Sequence, residues 1–124
     1  MDNTFVSKVN KIVLDNLPNE KFGVREVAKS LGLSRSQVLR RVKSATSKSV
    51  NQLILEIRLQ EALKLLKEEK KTIAEIAYEV GFSSPSYFSK CFHEYFGDTP
   101  GELRNKELEN ELVEIQVEPL TQKR

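Results

Sequence analysis

GVREVAKSLGLS, residues 23–34, lies over TIAEIAYEVGFS, residues 72–83, pairing Val24 with Ile73, Val27 with Ile76, Ala28 with Ala77, Leu31 with Val80 and Gly32 with Gly81. The offset is 49 residues. One residue is added in the second turn, and at an offset of 50 Val38 pairs with Phe88, Arg40 with Lys90, Val42 with Phe92 and Ser47 with Gly97. Each copy reads as a short helix, a glycine-containing turn of three or four residues and a second helix, which is the helix-turn-helix plan. The small Ala28 or Ala77 lets the second helix cross the first closely, and Gly32 or Gly81 supplies a left-handed turn residue.

Outward from the repeat, apolar residues keep a helical interval, as in Phe5, Val9, Ile12, Val13 and Leu17. No comparable stretch alternates with period two. Ser34 with Gln37, Ser49 with Gln52, Thr72 with Glu75 and Thr99 with Glu102 each have capping-box spacing, and Gly23 with Glu26 is a weaker start. With Pro100 suited to a first helical position, the spacing predicts about seven helices, over 4–16, 24–31, 35–45, 50–69, 73–80, 85–96 and 100–110. The expected fold is all-α, two helix-turn-helix subdomains joined by a long linker helix. Residues 1–48 form an N-terminal helix and the first helix-turn-helix, 49–70 the linker helix, 71–107 the second helix-turn-helix and a closing helix, and 108–124 a C-terminal extension or tail. The linker carries two apolar stripes, Val50, Leu53, Ile54 and Ile57, then Leu55, Leu59, Ala62, Leu63 and Leu66, so it is expected to be buried on more than one side. KEEKK after it reads as a solvated turn. Leu108, Leu112 and Ile115 allow the last helix to reach Ile115, with a frayed tail as the alternative.

Composition narrows the functions. At 124 residues and 39% apolar content the chain builds modest cores, not a large enclosed substrate cavity. One cysteine, Cys91, and one histidine, His93, make neither an internal disulfide nor a structural zinc site. No cofactor is called for. Neither a carboxylate pair nor a glycine-rich phosphate loop appears, so an enzyme is not expected. The chain starts with MDNTFVSKVNK, unlike a secretory signal, and has no apolar run of about 20 residues, which points to the cytoplasm without membrane contact.

The net charge of +2 decides nothing by itself, but its distribution does. From Ser34 to Lys48 the chain carries Arg35, Arg40, Arg41, Lys43 and Lys48 and no acidic residue, the footprint of a phosphate backbone. With Val38 and Val42 turned inward, the opposite face presents Ser36, Leu39, Arg40 and Lys43. Arg40 suits guanine O6 and N7, and Leu39 a thymine methyl. The bland alternative makes Leu39 a rim core residue and the arginines a solubilising face. The second copy is less basic, with Lys90, His93 and Glu94. Its helix starts after Ser84, whose neighbouring amides suit a phosphate oxygen. Phe88, Phe92 and one of Tyr95 and Phe96 are expected in the core, leaving Ser86, Ser89 and Lys90 on the groove side and Tyr87 at its margin. His93 is within reach of a phosphate but equally reads as a plain surface residue; Cys91 is expected to be half-exposed and incidental.

IAYEVGFSSPSYFSKCFHEYFGDTPGELR, Ile76 to Arg104, closely resembles the pattern IAxxxGFxxxSYFxxxFxxxxGxTPxxxR of the DNA-binding domain of AraC/XylS-type transcriptional regulators. Residues 34–66, with Arg58, Ala62 and the Leu65–Leu66 pair, resemble that family's first reading helix and linker. The resemblance covers residues 5 to about 105. It implies two reading helices held by the linker so that both enter successive major-groove segments, in a regulator that is more often an activator. By position it implies base reading by Ser36, Leu39, Arg40, Ser86, Ser89 and Lys90. It places phosphate contacts at Ser34, Arg35, Arg41, Lys43, Lys48, Ser84, His93 and Arg104. Double-stranded DNA and RNA polymerase are the implied partners, with a sensor or dimerisation domain in the full-length protein, as in a hybrid two-component regulator; a small one-domain member is the alternative. Ser47 departs from the family's glycine and Val42 from its phenylalanine, which predicts a strained turn and a less filled first core. Outside this class, a helical protein-interaction module without DNA binding is the rival reading.

Overall fold

The computed structural model describes residues 3–68 and 70–108. It contains α1 (Asn3–Asp15), α2 (Val24–Leu31), α3 (Arg35–Thr46), α4 (Val50–Leu66), α5 (Ile73–Glu79) and α6 (Pro85–Phe96), then a seventh helix, α7, over residues 100–108. There is no strand among the described residues, and the all-α expectation holds. The ends of α1, α2, α3, α5 and α6 fall within one residue of their sequence positions. The linker helix is shorter than expected, because it stops at Leu66 where the apolar pattern gives way to charge and Lys67 turns the chain. The expected extension to Ile115 lies outside the described residues.

The two copies of the repeat share their turn geometry bond for bond. Leu33 N–H donates to the carbonyl of Ala28 at 3.0 Å, and Phe82 N–H to that of Ala77 at 2.9 Å. Gly32 and Gly81 sit between them at φ +68° and +90°. At the far end of each second helix, Ser47 N–H reaches Lys43 at 2.9 Å and Gly97 N–H reaches His93 at 2.8 Å. Ser47 is left-handed at φ 63°, the position where its glycine counterpart meets no Cβ penalty, so the strain read from the sequence is present.

Reciprocal capping boxes start α3, α5 and α7. The N–H of Ser34 donates to Gln37 Oε1 at 2.8 Å, that of Thr72 to Glu75 Oε1 at 2.8 Å and that of Thr99 to Glu102 Oε1 at 2.9 Å, and each hydroxyl accepts from the N3 amide in return. Gly23 N–H donates to Glu26 Oε1 at 2.8 Å, so the weaker start is also used. At α4 the hydroxyl of Ser49 accepts from Gln52 N–H. At α6 Ser84 caps Tyr87 N–H, with Pro85 at the first position.

Each motif closes over its own apolar interior against α4. The first core is aliphatic: Val9, Val13, Val27, Val38 and Val42 are fully buried, with Phe5, Leu17 and Phe22 beside them. The second is aromatic: Phe82, Phe88, Phe92 and Phe96 follow one another at centroid separations of 5.2, 5.6 and 4.5 Å. Tyr95 is 41% exposed and its hydroxyl accepts from Gln60 Nε2, which leaves Phe96 as the residue that packs on the core. Cys91 is buried, not half-exposed as its sequence position suggested, because it shares the inward face of α6 with Phe88 and Phe92.

The linker helix buries Val50, Leu53, Ile54, Ile57, Leu59, Ala62 and Leu66, which covers most of its circumference, and also one charged residue, Arg58. Its Nη1 donates to the carbonyl of Leu17 and, at 2.7 Å, to that of Val80; its Nη2 donates to Asn19 at 2.9 Å. One side chain thereby joins the exit of α1, the middle of α4 and the end of α5.

The capping carboxylates give the fold an acid-side pH dependence. Glu26, Glu75 and Glu102 are all held below their ordinary pKa of 4.5, chiefly by the N-cap amides of Gly23, Thr72 and Thr99. A lowered folded pKa stabilises above the unfolded value and is lost as pH falls through the folded one. Urea midpoints are therefore expected to hold from pH 7 to about 5 and to fall below about 4.5. Replacing all three by Gln, which already serves this role at Gln37, should flatten that fall.

Candidate nucleic-acid interface

The second helix of each motif buries one side and turns a hydrophilic side to solvent. On α3, Val38 and Val42 are fully buried while Ser36, Leu39, Arg40 and Lys43 are exposed, Leu39 to 42%. A leucine that open has no core to fill on that side. On α6, Phe88, Cys91 and Phe92 point inward; Ser86, Lys90 and His93 are exposed, and Ser89 is half-buried. Tyr87 stands 53% exposed at the helix start, and the neighbouring Cys91 pushes its phenol pKa up.

The basic residues are not equivalent. Among the described residues, Arg35 and Arg40 have no carboxylate within ion-pair distance. Arg41 is exposed but lies over the Phe5 ring, 4.2 Å from its centroid, which orients the guanidinium beside α1. Lys43 Nζ reaches the carbonyl of Ser47 at 3.2 Å, favourable at the negative end of the α3 dipole and open to exchange with solvent. Lys48 pairs with Glu56 on α4, which raises its pKa. Ser34 and Ser84 are spent as caps, with their neighbouring first-turn amides free of intrahelical partners.

Arg104 is placed differently from the other cations. Its Nε donates to the carbonyl of Leu66 at 3.2 Å and its Nη1 to that of Lys71 at 2.8 Å, so α7 is tied to the end of the linker helix. Lys71 in turn pairs with Glu79 at 2.9 Å, which raises the lysine pKa. Arg58 is the residue whose role reading the sequence for motifs missed. The signal was there: Ile54, Arg58 and Ala62 are four residues apart on a helix apolar nearly all round, so a charge on that line has to be buried.

Two helix-turn-helix motifs of one design, each presenting its second helix, and a basic strip confined to α3 define a bipartite helix-turn-helix DNA-binding domain. A family model described as a helix-turn-helix domain matches residues 27–106. The histidine kinase P4 of Formosa agariphila is 42% identical over 106 residues, 86% of this chain and 8% of that protein. A DNA-binding transcriptional dual regulator from Escherichia coli superposes with a TM-score of 0.78 at 27% identity, covering 84% of this chain and 92% of that one. The DNA-binding domain of AdpA, solved in complex with a target DNA, superposes at 0.73 and 27% identity, over 82% and 90%. The chain belongs to the AraC-type helix-turn-helix family, the DNA-binding domains of transcriptional regulators. It spans under a tenth of the length of the kinase relative.

Arg104→Ala is expected to lower stability by about 2 kcal/mol through loss of charged hydrogen bonds to two carbonyls. It should leave the salt dependence of DNA affinity unchanged. Urea unfolding and binding at two salt concentrations check both; a drop in salt slope with intact stability would return Arg104 to the phosphate contacts.

Proposed function

We propose that this domain binds double-stranded DNA sequence-specifically, with α3 and α6 in successive major-groove segments, as the output part of a transcriptional regulator acting as an activator. The observation that carries it is the α3 surface: Arg35, Arg40 and Lys43 exposed together, with no acidic residue on the helix. Arg40 suits a bidentate contact to guanine O6 and N7, and Leu39 a thymine methyl. Ser36 reads beside them. On α6, Ser86, Ser89 and Lys90 fill the same role with shorter reach. Arg35, Arg41, Lys43 and His93, with the capped starts at Ser34 and Ser84, hold phosphates and fix register. Lys48 joins them when Glu56 releases it.

In this reading the chain catalyses nothing and works in the cytoplasm; no helix among the described residues is long and apolar enough to cross a membrane. RNA polymerase is its activation partner, and a sensing or dimerising segment controls it. The kinase relative, of which the match is a small share, supports control by a two-component sensor.

Affinity for duplex DNA should fall steeply with salt, with a log–log slope on the order of −4 to −7. Fluorescence anisotropy from low to high salt checks it, and a slope near zero sinks the DNA reading.

Readers and anchors separate by mutation. Arg40→Ala should cost about 1 to 3 kcal/mol of binding and relax preference at one base pair, whereas Lys43→Ala should weaken all sequences alike and reduce the slope by about one. Each is titrated against the best site and its single-base variants. The reverse pattern would mean that the groove-facing side of α3 is rotated from this assignment.

A further inference from the structure

The glycines that close the two turns have different surroundings. A Cβ built on Gly32 meets nothing within 4 Å, so glycine is needed there only for its positive φ. A Cβ on Gly81 would lie 2.6 Å from the Arg58 Cζ and inside contact distance of the Leu17 carbonyl oxygen. The turn of the second motif therefore rests on the exit of α1, in the N-terminal half of the domain, with the Arg58 guanidinium between them.

Hydrogen bonding at this point crosses the two halves of the domain. Nη1 of Arg58 holds the carbonyl of Leu17, from the first, and that of Val80, from the second, while Nη2 holds Asn19. Apolar packing on α4 is non-directional and tolerates small slides. A planar guanidinium gripping three carbonyls does not, because its donors point along fixed directions. The gripped turn, Val80 and Gly81, leads directly into the start of α6, so its position aims the second reading helix.

We propose that Arg58 and Gly81 form a lock that sets the separation and rotation between the two reading helices, and hence the base-pair spacing the domain accepts between its half-elements. Arg58 is a positioning residue in this proposal and touches no DNA. The inference rests on the DNA reading above, but part of its test does not.

The spacing is measured on duplexes with the preferred spacing, one base pair fewer and one more, at temperatures where each variant is folded by circular dichroism. The two half-elements are expected about one helical turn apart, and wild type should discriminate against either change on the order of tenfold. Arg58→Lys keeps the charge but loses the planar grip; it and Gly81→Ala should reduce that ratio at least about threefold. Gly32→Ala incurs the same left-handed penalty without the contact and should keep the wild-type ratio. A folded Arg58→Lys with wild-type discrimination overturns the proposal. So that it stands or falls without foldable variants or DNA binding, residual dipolar couplings are recorded on the wild-type chain alone. One alignment tensor fitting both motifs is expected, and two distinct tensors overturn the lock. A wild type that binds no duplex defeats the DNA reading instead, with the couplings still deciding whether the motifs are locked.

Discussion

A buried guanidinium at the middle of α4 is the constraint around which the other parts are arranged. Arg58 is 5% exposed, and burial pushes its pKa down, yet an arginine stays charged in a protein. Removing such a charge from water costs several kcal/mol unless every donor finds an acceptor. The acceptors here are backbone carbonyls just beyond or at helix ends, where intrahelical partners run out and the negative ends of the dipoles lie. The charge and the helix ends solve each other's problem, and their meeting requires a backbone without a side chain at Gly81. Truncating Arg58 would leave the carbonyls of Leu17, Asn19 and Val80 without these donors as well as opening a hole, which makes the site far less forgiving than a typical apolar position.

Arg104 repeats this chemistry at the end of the same helix, on Leu66 and Lys71. Two arginines thus brace the linker helix at its centre and its C-terminus. Both lie in stretches that match the family pattern, and both spend guanidinium donors on backbone carbonyls across the fold. A basic residue within a DNA-binding motif is therefore not evidence of a DNA contact until its hydrogen bonds are counted. For α3 the count goes the other way, since Arg35 and Arg40 have no carboxylate partner among the described residues.

What the sequence could reveal was local. Capping boxes, turn glycines and the 49- and 50-residue offsets act over a few bonds, and Gly32, Gly81 and Ser47 adopt the left-handed backbone their places in the repeat predicted. Inward Val38, Val42, Phe88 and Phe92 followed from helical periodicity alone. The outward faces of α3 and α6 followed as the complement. What lay beyond it is tertiary. Cys91 is buried by packing around α6, and the choice between Tyr95 and Phe96 that periodicity left open falls to Phe96, with Tyr95 hydrogen-bonded to Gln60 thirty-five residues away. Arg104, expected at a phosphate, spends two donors on the carbonyls of Leu66 and Lys71, which a pattern of spaced residues does not reveal. The grip of Arg58 joins residues 41 and 22 positions away, beyond any periodicity.

Charge divides unevenly between the two motifs, and this gives the lock its use. Residues 3–49 hold ten basic and three acidic residues, whereas residues 50–108 hold eight and ten. Long-range attraction to a polyanion, and its screening by salt, therefore act mostly through the first motif. The second has little electrostatic pull of its own, and in the proposed DNA reading it contributes short polar side chains, Ser86 and Ser89, whose contacts form only at close range. A weakly attracted reader adds affinity when the strongly attracted one has already brought it to the right place, and how much it adds depends on how narrowly the connection restricts its position. Flexible tethering would spread α6 over many registers and dilute that gain. In the proposed reading the contact at Leu17, Arg58 and Gly81 concentrates it on one, so that electrostatic capture by α3 becomes sequence discrimination by α6.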